Sequence, residues 1–169
     1  MVLRELVKED KDIFYEALSQ PFDEDFQFAW FFKESGNSFS SYLQYLKDNK
    51  EGRVLPGQVR VTFLIAIVGG KIVGRCSIRH ELNDFLSSVG GHIGYGVLPR
   101  YRKMGYATEI LGRSLDFIRN SVPDINKVLI TCDEENLGSK KVIEKNNGVF
   151  ESILERENLP NKLRYWISV

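Results

Sequence analysis

The sequence predicts an α/β chain with about seven strands and about four helices, and three observations carry that expectation. Short β-branched and aromatic runs recur along the whole of the 169 residues. Two β-rich runs, Gln58 to Val68 and Lys71 to Arg79, flank Gly69-Gly70, the signature of a hairpin. The stretch from Gly91 to Leu111 passes from a strand through a sharp turn into the start of a helix.

Val2 to Val7 reads as a first strand. Asp10 or Lys11 to Leu18 reads as a helix carrying Ile13, Phe14, Ala17 and Leu18 on one face. Pro21 to Asn37 breaks the pattern and mixes Phe22, Phe26, Phe28, Trp30, Phe31 and Phe32 with Asp23, Glu24 and Asp25. Ser38 or Ser40 caps a second helix bearing Phe39, Tyr42, Leu43, Tyr45 and Leu46, which frays in Lys47 to Gly52. After the glycine-pair hairpin, Glu81 to Ser88 forms a short helix or loop, and His92 to Val97 a strand that Pro99 ends. Ile110, Leu111, Leu115 and Ile118 mark the next helix. Lys127 to Cys132 is a strand, Lys140 to Lys145 a helix, and Val149 to Leu154 with Leu163 to Ser168 a last hairpin. The order is β, α, α, β, β, β, α, β, α, β, β, with no repeat or linker dividing it, so one domain over 1–169 is expected.

Composition narrows the function classes. Lys plus Arg and Asp plus Glu number 23 each, leaving no global field for nucleic acid or anionic membrane. The longest apolar run, around Val61 to Val68, is strand-length rather than membrane-spanning. The first residues, with Arg4, Glu5, Lys8, Glu9 and Asp10, lack a signal-peptide apolar core, which gives a cytoplasmic expectation. Cys76 and Cys132 fall in strands and read as reduced core residues. No His/Cys cluster has metal-ligand spacing, so no metal is expected.

Chemistry concentrates between the strand at His92 to Val97 and the helix that follows. A helix's first turn offers unpaired N–H groups and the positive end of its dipole, and so favours an anion. Gly105 and Ala107 let a pyrophosphate approach the backbone, while Arg102 and Lys103 add charge. Arg102-x-x-Gly105-x-Ala107 resembles the [Gln/Arg]-x-x-Gly-x-[Gly/Ala] signature of the GNAT (Gcn5-related) N-acetyltransferases, with Val97-Leu98-Pro99 similar to the strand end before that loop. Downstream, Asn136, Ser139 and Gly148 follow the family's Asn-x-x-[Ser/Ala] and glycine landmarks. Within the family they look like the ribosomal-protein-type subgroup.

The resemblance implies a mixed, mostly antiparallel central sheet that splays, and acetyl-CoA as co-substrate. The pyrophosphate would lie on Arg102, Lys103, Met104, Gly105, Tyr106, Ala107 and Thr108. Tyr95, Val97 and Leu98 would accompany the pantetheine arm, and Asn136 and Ser139 the region near the sulfur. The acceptor would be a primary amine of a small molecule or peptide, and a homodimer is compatible with it. The positions where many members carry a basic Glu or His fall here on Gly91 and Ile93, and the family's acidic tyrosine falls on Ile143. His92 alternates to the other face. The catalytic candidates are therefore Glu81, as base after the neighbouring strand, and Ser139, as acid near the thiolate. Ser139 has helix capping as its other reading, and a water relay needs no side-chain acid. Tyr95, Tyr165, Trp166 and the aromatics between Phe22 and Phe32 are candidate walls of an acceptor pocket, and Asp23 to Asp25 a lure for a cationic amine. The competing reading is a catalytically silent acyl-CoA-binding domain.

Overall fold

The computed structural model describes residues 1–22 and 26–169. Its strands are β1 (Val2–Glu5), β2 (Val61–Val68), β3 (Lys71–Arg79), β4 (Ile93–Val97), β5 (Lys127–Asp133), β6 (Val149–Leu154) and β7 (Lys162–Ser168). Its α-helices are α1 (Lys11–Leu18), α2 (Phe39–Lys50), α3 (Tyr106–Ser121) and α4 (Leu137–Lys145). The element order is the one read from the sequence.

Local chemistry accounts for the boundaries. β1 stops at Glu5, short of the expected Val7, because the Asp10 carboxylate takes the Val7 N–H at 2.9 Å and pairs with Arg4 at 2.6 and 2.7 Å, turning the chain. Ser38 caps α2 by accepting from the Ser41 N–H at 3.2 Å. Between β2 and β3, Gly69 and Gly70 have φ of 56° and 75°, the left-handed pair that a tight hairpin turn needs.

β2 is apolar almost throughout because the sheet is covered on both sides. Leu64 and Ala66 face one core with Cys76 and Ile78 of β3 and with Ile110, Leu111, Leu115 and Ile118 of α3. Each such burial contributes about 1.5–3 kcal/mol. Phe63 and Ile65 face the other core with Phe14, Phe28, Phe32, Phe39 and Tyr42. Phe28 and Phe32 of the irregular segment thus become packing for α1 and α2: Phe14 has Phe28, Phe32, Phe39 and Tyr42 within 5.1–5.6 Å between ring centroids. A register shift between Ala66 and Ile67 against β3 lets Val73 join the α3 side, while Arg75, Ser77 and Arg79 turn to the α2 side.

The strands form two antiparallel ladders, β1-β2-β3-β4 and β5-β7-β6, rather than one mixed sheet. The break lies between β4 and β5. Gly91 approaches so closely that a Cβ there would stand 2.5 Å from the Leu129 carbonyl, and its φ is +64°. His92 N–H then donates to the Leu129 carbonyl at 2.7 Å. The return bond is diverted: the Leu129 N–H donates to His92 Nδ1 at 2.9 Å. With a side chain occupying that donor, no ladder continues and the strands part.

Candidate active site

β4 presents an open backbone edge at the split. Arg79 N–H donates to the His92 carbonyl and Leu98 N–H to the Val73 carbonyl, so the even-numbered residues of this strand bond to β3. Antiparallel alternation then turns the N–H groups of Tyr95 and Val97 toward the gap facing β5. Arg102 Nε donates to the Val97 carbonyl at 3.3 Å and ties the next loop to the strand end.

That loop runs through a tight turn at Pro99–Tyr101 to the start of α3. Lys103 has φ of 63° and Gly105 of 83°. These left-handed residues keep the N–H groups of 103–107 from finding an acceptor among the described residues. Gly105 is the N-cap of α3 with no side-chain cap, and open space lies where its Cβ would be. Arg102, Lys103 and Met104 are exposed, while Tyr106, Ala107 and Thr108 are half-buried. The arrangement offers a cradle of backbone donors, a helix-dipole end and two cationic side chains.

At the other side of the gap, Asn136 caps α4 by accepting from the Ser139 N–H at 2.9 Å. Capping thus belongs to Asn136, which frees the Ser139 hydroxyl to meet the Tyr95 phenol at 2.7 Å. Burial pushes the Tyr95 phenol up to about 12. Gly148 packs on Ile143, where a Cβ would come within 2.4 Å of Ile143 Cγ2.

The remaining candidates are placed apart. Glu81 is exposed beyond the end of β3 and is not part of the cavity wall described next. His92 is 8% exposed, and burial lowers its pKa from 6.5. Because Nδ1 accepts from the Leu129 N–H, the neutral ring carries its proton on Nε2 and keeps no lone pair for a substrate proton. Tyr165 is core, and Trp166 Nε1 donates to Glu151 Oε1 at 2.7 Å. Burial raises Cys132 to about 11, and Cys76, buried against the Ser114 hydroxyl, also to about 11, so neither is a ready thiolate. Asp23, Glu24 and Asp25 lie outside the described residues. No group of three or more His, Cys, Asp or Glu that could hold a metal occurs among the described residues.

A cavity of about 400 Å³ opens between α2, β2, β3 and the turn at Leu86. Trp30, Phe31, Tyr45 and Phe85 wall it, and Ser77 and Arg79 reach it from β3. The Arg75 guanidinium lies 4.6 Å from the Trp30 ring centroid and donates to the Gln27 and Gly94 carbonyls; Arg79 lies 5.9 Å from the same ring. Burial lowers Arg75 to about 10, which still leaves it charged near neutrality. Neither arginine has a carboxylate within ion-pair distance among the described residues. Sequence reading missed this pair. Its signal was two arginines at even spacing, on one face of a strand otherwise apolar.

The family model described as Acetyltransferase (GNAT) domain matches residues 1–149. No curated protein sequence matches the chain. Among solved structures, a chimera of spermidine N-acetyltransferase SpeG from Vibrio cholerae and hSSAT is similar at TM-score 0.65 and 17% identity, covering 99% of this chain and 96% of that one. RimL, a ribosomal L7/L12 alpha-N-protein acetyltransferase in complex with coenzyme A, is similar at 0.62 and 16%, covering 99% and 93%. A GNAT-family acetyltransferase from Streptococcus pneumoniae is similar at 0.65 and 14%, covering 99% and 98%. At these identities the structural likeness speaks for the fold, and the family match over most of the chain speaks for descent: the chain belongs to the GNAT acetyltransferase family.

Proposed function

We propose that this chain transfers the acetyl group of acetyl-CoA to a primary amine by direct attack of the neutral amine on the thioester. The amine nitrogen bonds to the carbonyl carbon, the carbon–sulfur bond breaks, the nitrogen loses a proton and the sulfur gains one. The observation that carries this reading is the pairing of a donor-rich loop at the α3 N-terminus with an open β4 edge ending beside it. The N–H groups of 103–107, with Arg102 and Lys103, suit a pyrophosphate; the Tyr95 and Val97 N–H groups suit the amides and carbonyl of the donor arm.

The cavity favours the reactive form of the acceptor. An ammonium brought near Arg79 meets like charge in an apolar wall, which lowers its pKa and promotes the free amine. Ser139, held by Tyr95, is positioned on this reading to return a proton to the leaving thiolate.

Calorimetric titration with acetyl-CoA, followed by thiol release against a panel of amines, tests the proposal. Micromolar or tighter binding with turnover supports it; binding without turnover against every amine favours the silent acyl-CoA-binding domain. Loss of binding altogether removes the reading of the loop.

A further inference from the structure

We propose that the acceptor is an amino acid with a large apolar or aromatic side chain, its carboxylate held by Arg79. The inference rests on the acetyl-transfer reading above and names the substrate class of that site. Arg79 is 9% exposed, and its Nη1 donates to the Gly90 and Gly91 carbonyls at 3.0 Å. Its Nε and Nη2 find no acceptor among the described residues, although the side chain lines the cavity. A buried guanidinium tied on one nitrogen and open on the others is arranged for a planar anion.

One neighbour reinforces this. Ser77, 4% exposed and between the two arginines on the same strand face, lines the cavity and has no side-chain hydrogen-bond partner among the described residues. Its hydroxyl and the untied Arg79 nitrogens are donors that an acceptor arriving with a ligand can engage. The described part of the wall contains no Asp or Glu. A polyamine would therefore bring positive charge to positive charge, whereas a carboxylate would satisfy it.

Geometry sets the size of the acceptor. The Arg79 Nη atoms lie 3.6 and 3.7 Å from where a Cβ on Gly94 would stand, directly against β4. β4 is the strand whose open edge would receive the thioester, so a carboxylate bound at Arg79 and the attacking nitrogen belong to one compact unit, as in an α-amino acid. The rest of the cavity, with Trp30, Phe31, Tyr45 and Phe85, takes an apolar body.

The test titrates the CoA-saturated protein with N-acetylphenylalanine, N-acetylphenylalanine amide and spermidine. The acid is expected to bind roughly 10- to 100-fold more tightly than the amide, the worth of one charge-assisted interaction. Arg79→Gln should erase that ratio, and Ser77→Ala, which leaves the strand in place, should reduce it. Equal binding of acid and amide, preference for spermidine, or a ratio that survives in folded Arg79→Gln overturns the proposal. If Arg79→Gln does not fold, the wild-type ratio and its change in Ser77→Ala decide. A parallel acetyl-CoA titration separates the two readings: its failure removes the acetyl-transfer function, while the acid-to-amide ratio, repeated on the CoA-free protein, judges the acceptor site alone.

Discussion

The Tyr95 phenol and the Ser139 hydroxyl stand 2.7 Å apart, joining the middle of β4 to the first turn of α4. The contact places a proton-bearing pair beside the gap where the two ladders separate. With the phenol pushed up to about 12, Tyr95 stays protonated through the whole range in which the protein can be assayed. Ser139→Ala is expected to lower kcat by about 10²-fold or more while leaving KM for acetyl-CoA nearly unchanged. Tyr95→Phe should act through the same step, and the double variant should fall no further than the worse single one. Steady-state kinetics decides this; an unaltered kcat in Ser139→Ala shows that water returns the proton. No basic limb assignable to Tyr95 should appear below about pH 11.

Gly105 gives a sharper test of the loop. Its φ of 83° is left-handed, so any side chain is strained there by about 1–2 kcal/mol, although open space surrounds the position. Gly105→Glu should keep the fold, because a carboxylate suits a helix N-terminus, yet weaken acetyl-CoA by at least about 100-fold through repulsion of the pyrophosphate. Gly105→Asn, which tolerates the same φ without charge, should bind much nearer to wild type. Calorimetry on both variants separates charge from strain, and equal losses would point to backbone strain instead.

Glu81 is exposed just beyond the end of β3 and is not one of the residues lining the cavity. On the proposed reading, in which the cavity rather than a side-chain base lowers the amine's pKa, Glu81→Gln is expected to retain the wild-type rise of kcat/KM with pH. A flattened rise in that variant assigns the base to Glu81.

What the sequence made legible was local. The glycine pair at Gly69-Gly70, the Ser38 cap and the spacing of Ile110, Leu111, Leu115 and Ile118 each act within a few residues, and each element formed where that chemistry placed it. The turn through Gly105 into α3 was legible for the same reason. The break between β4 and β5 was not, because it depends on His92 Nδ1 meeting the Leu129 N–H across 37 residues. Nor was the cavity: Arg75 and Arg79 look like ordinary strand cations until Trp30, from the irregular segment, packs over them. Tyr95 and Ser139 were each a candidate, but their contact spans 44 residues of sequence.

Asp10 anchors the N-terminal strand. It is 4% exposed, accepts two bonds from Arg4 and one from the Val7 N–H, and the Arg4 hydrogen bonds hold its pKa below the ordinary carboxylate value of 3.8. Asp10→Asn should cost about 1–3 kcal/mol near neutrality, measured by urea denaturation. Since the folded pKa lies below the unfolded one, the stabilisation is present above the unfolded value and lost as pH falls through the folded value. The difference between wild type and variant should therefore shrink in acid; a constant difference would show that packing, not the ion pair, carries the effect.

His92 links the split in the sheet to pH. Burial lowers its pKa from 6.5, and burial does the same to His80. Between the folded and unfolded pKa values the unfolded chain binds more protons, so stability rises with pH there and is lost as pH falls below the ordinary imidazole value of 6.5. Protonation at Nδ1 would also remove the acceptor of the Leu129 N–H. The urea midpoint is therefore expected to fall as pH drops below 6.5, and the fall to be shallower in His92→Asn. That variant should lose about 1–3 kcal/mol near neutrality if its shorter side chain leaves the Leu129 N–H unpaired. With no free lone pair on the neutral ring, His92 contributes no general base, so the pKa governing kcat/KM should be the same in the variant as in wild type. A shift of that pKa would mean that the imidazole releases Leu129 during turnover and takes the amine's proton itself.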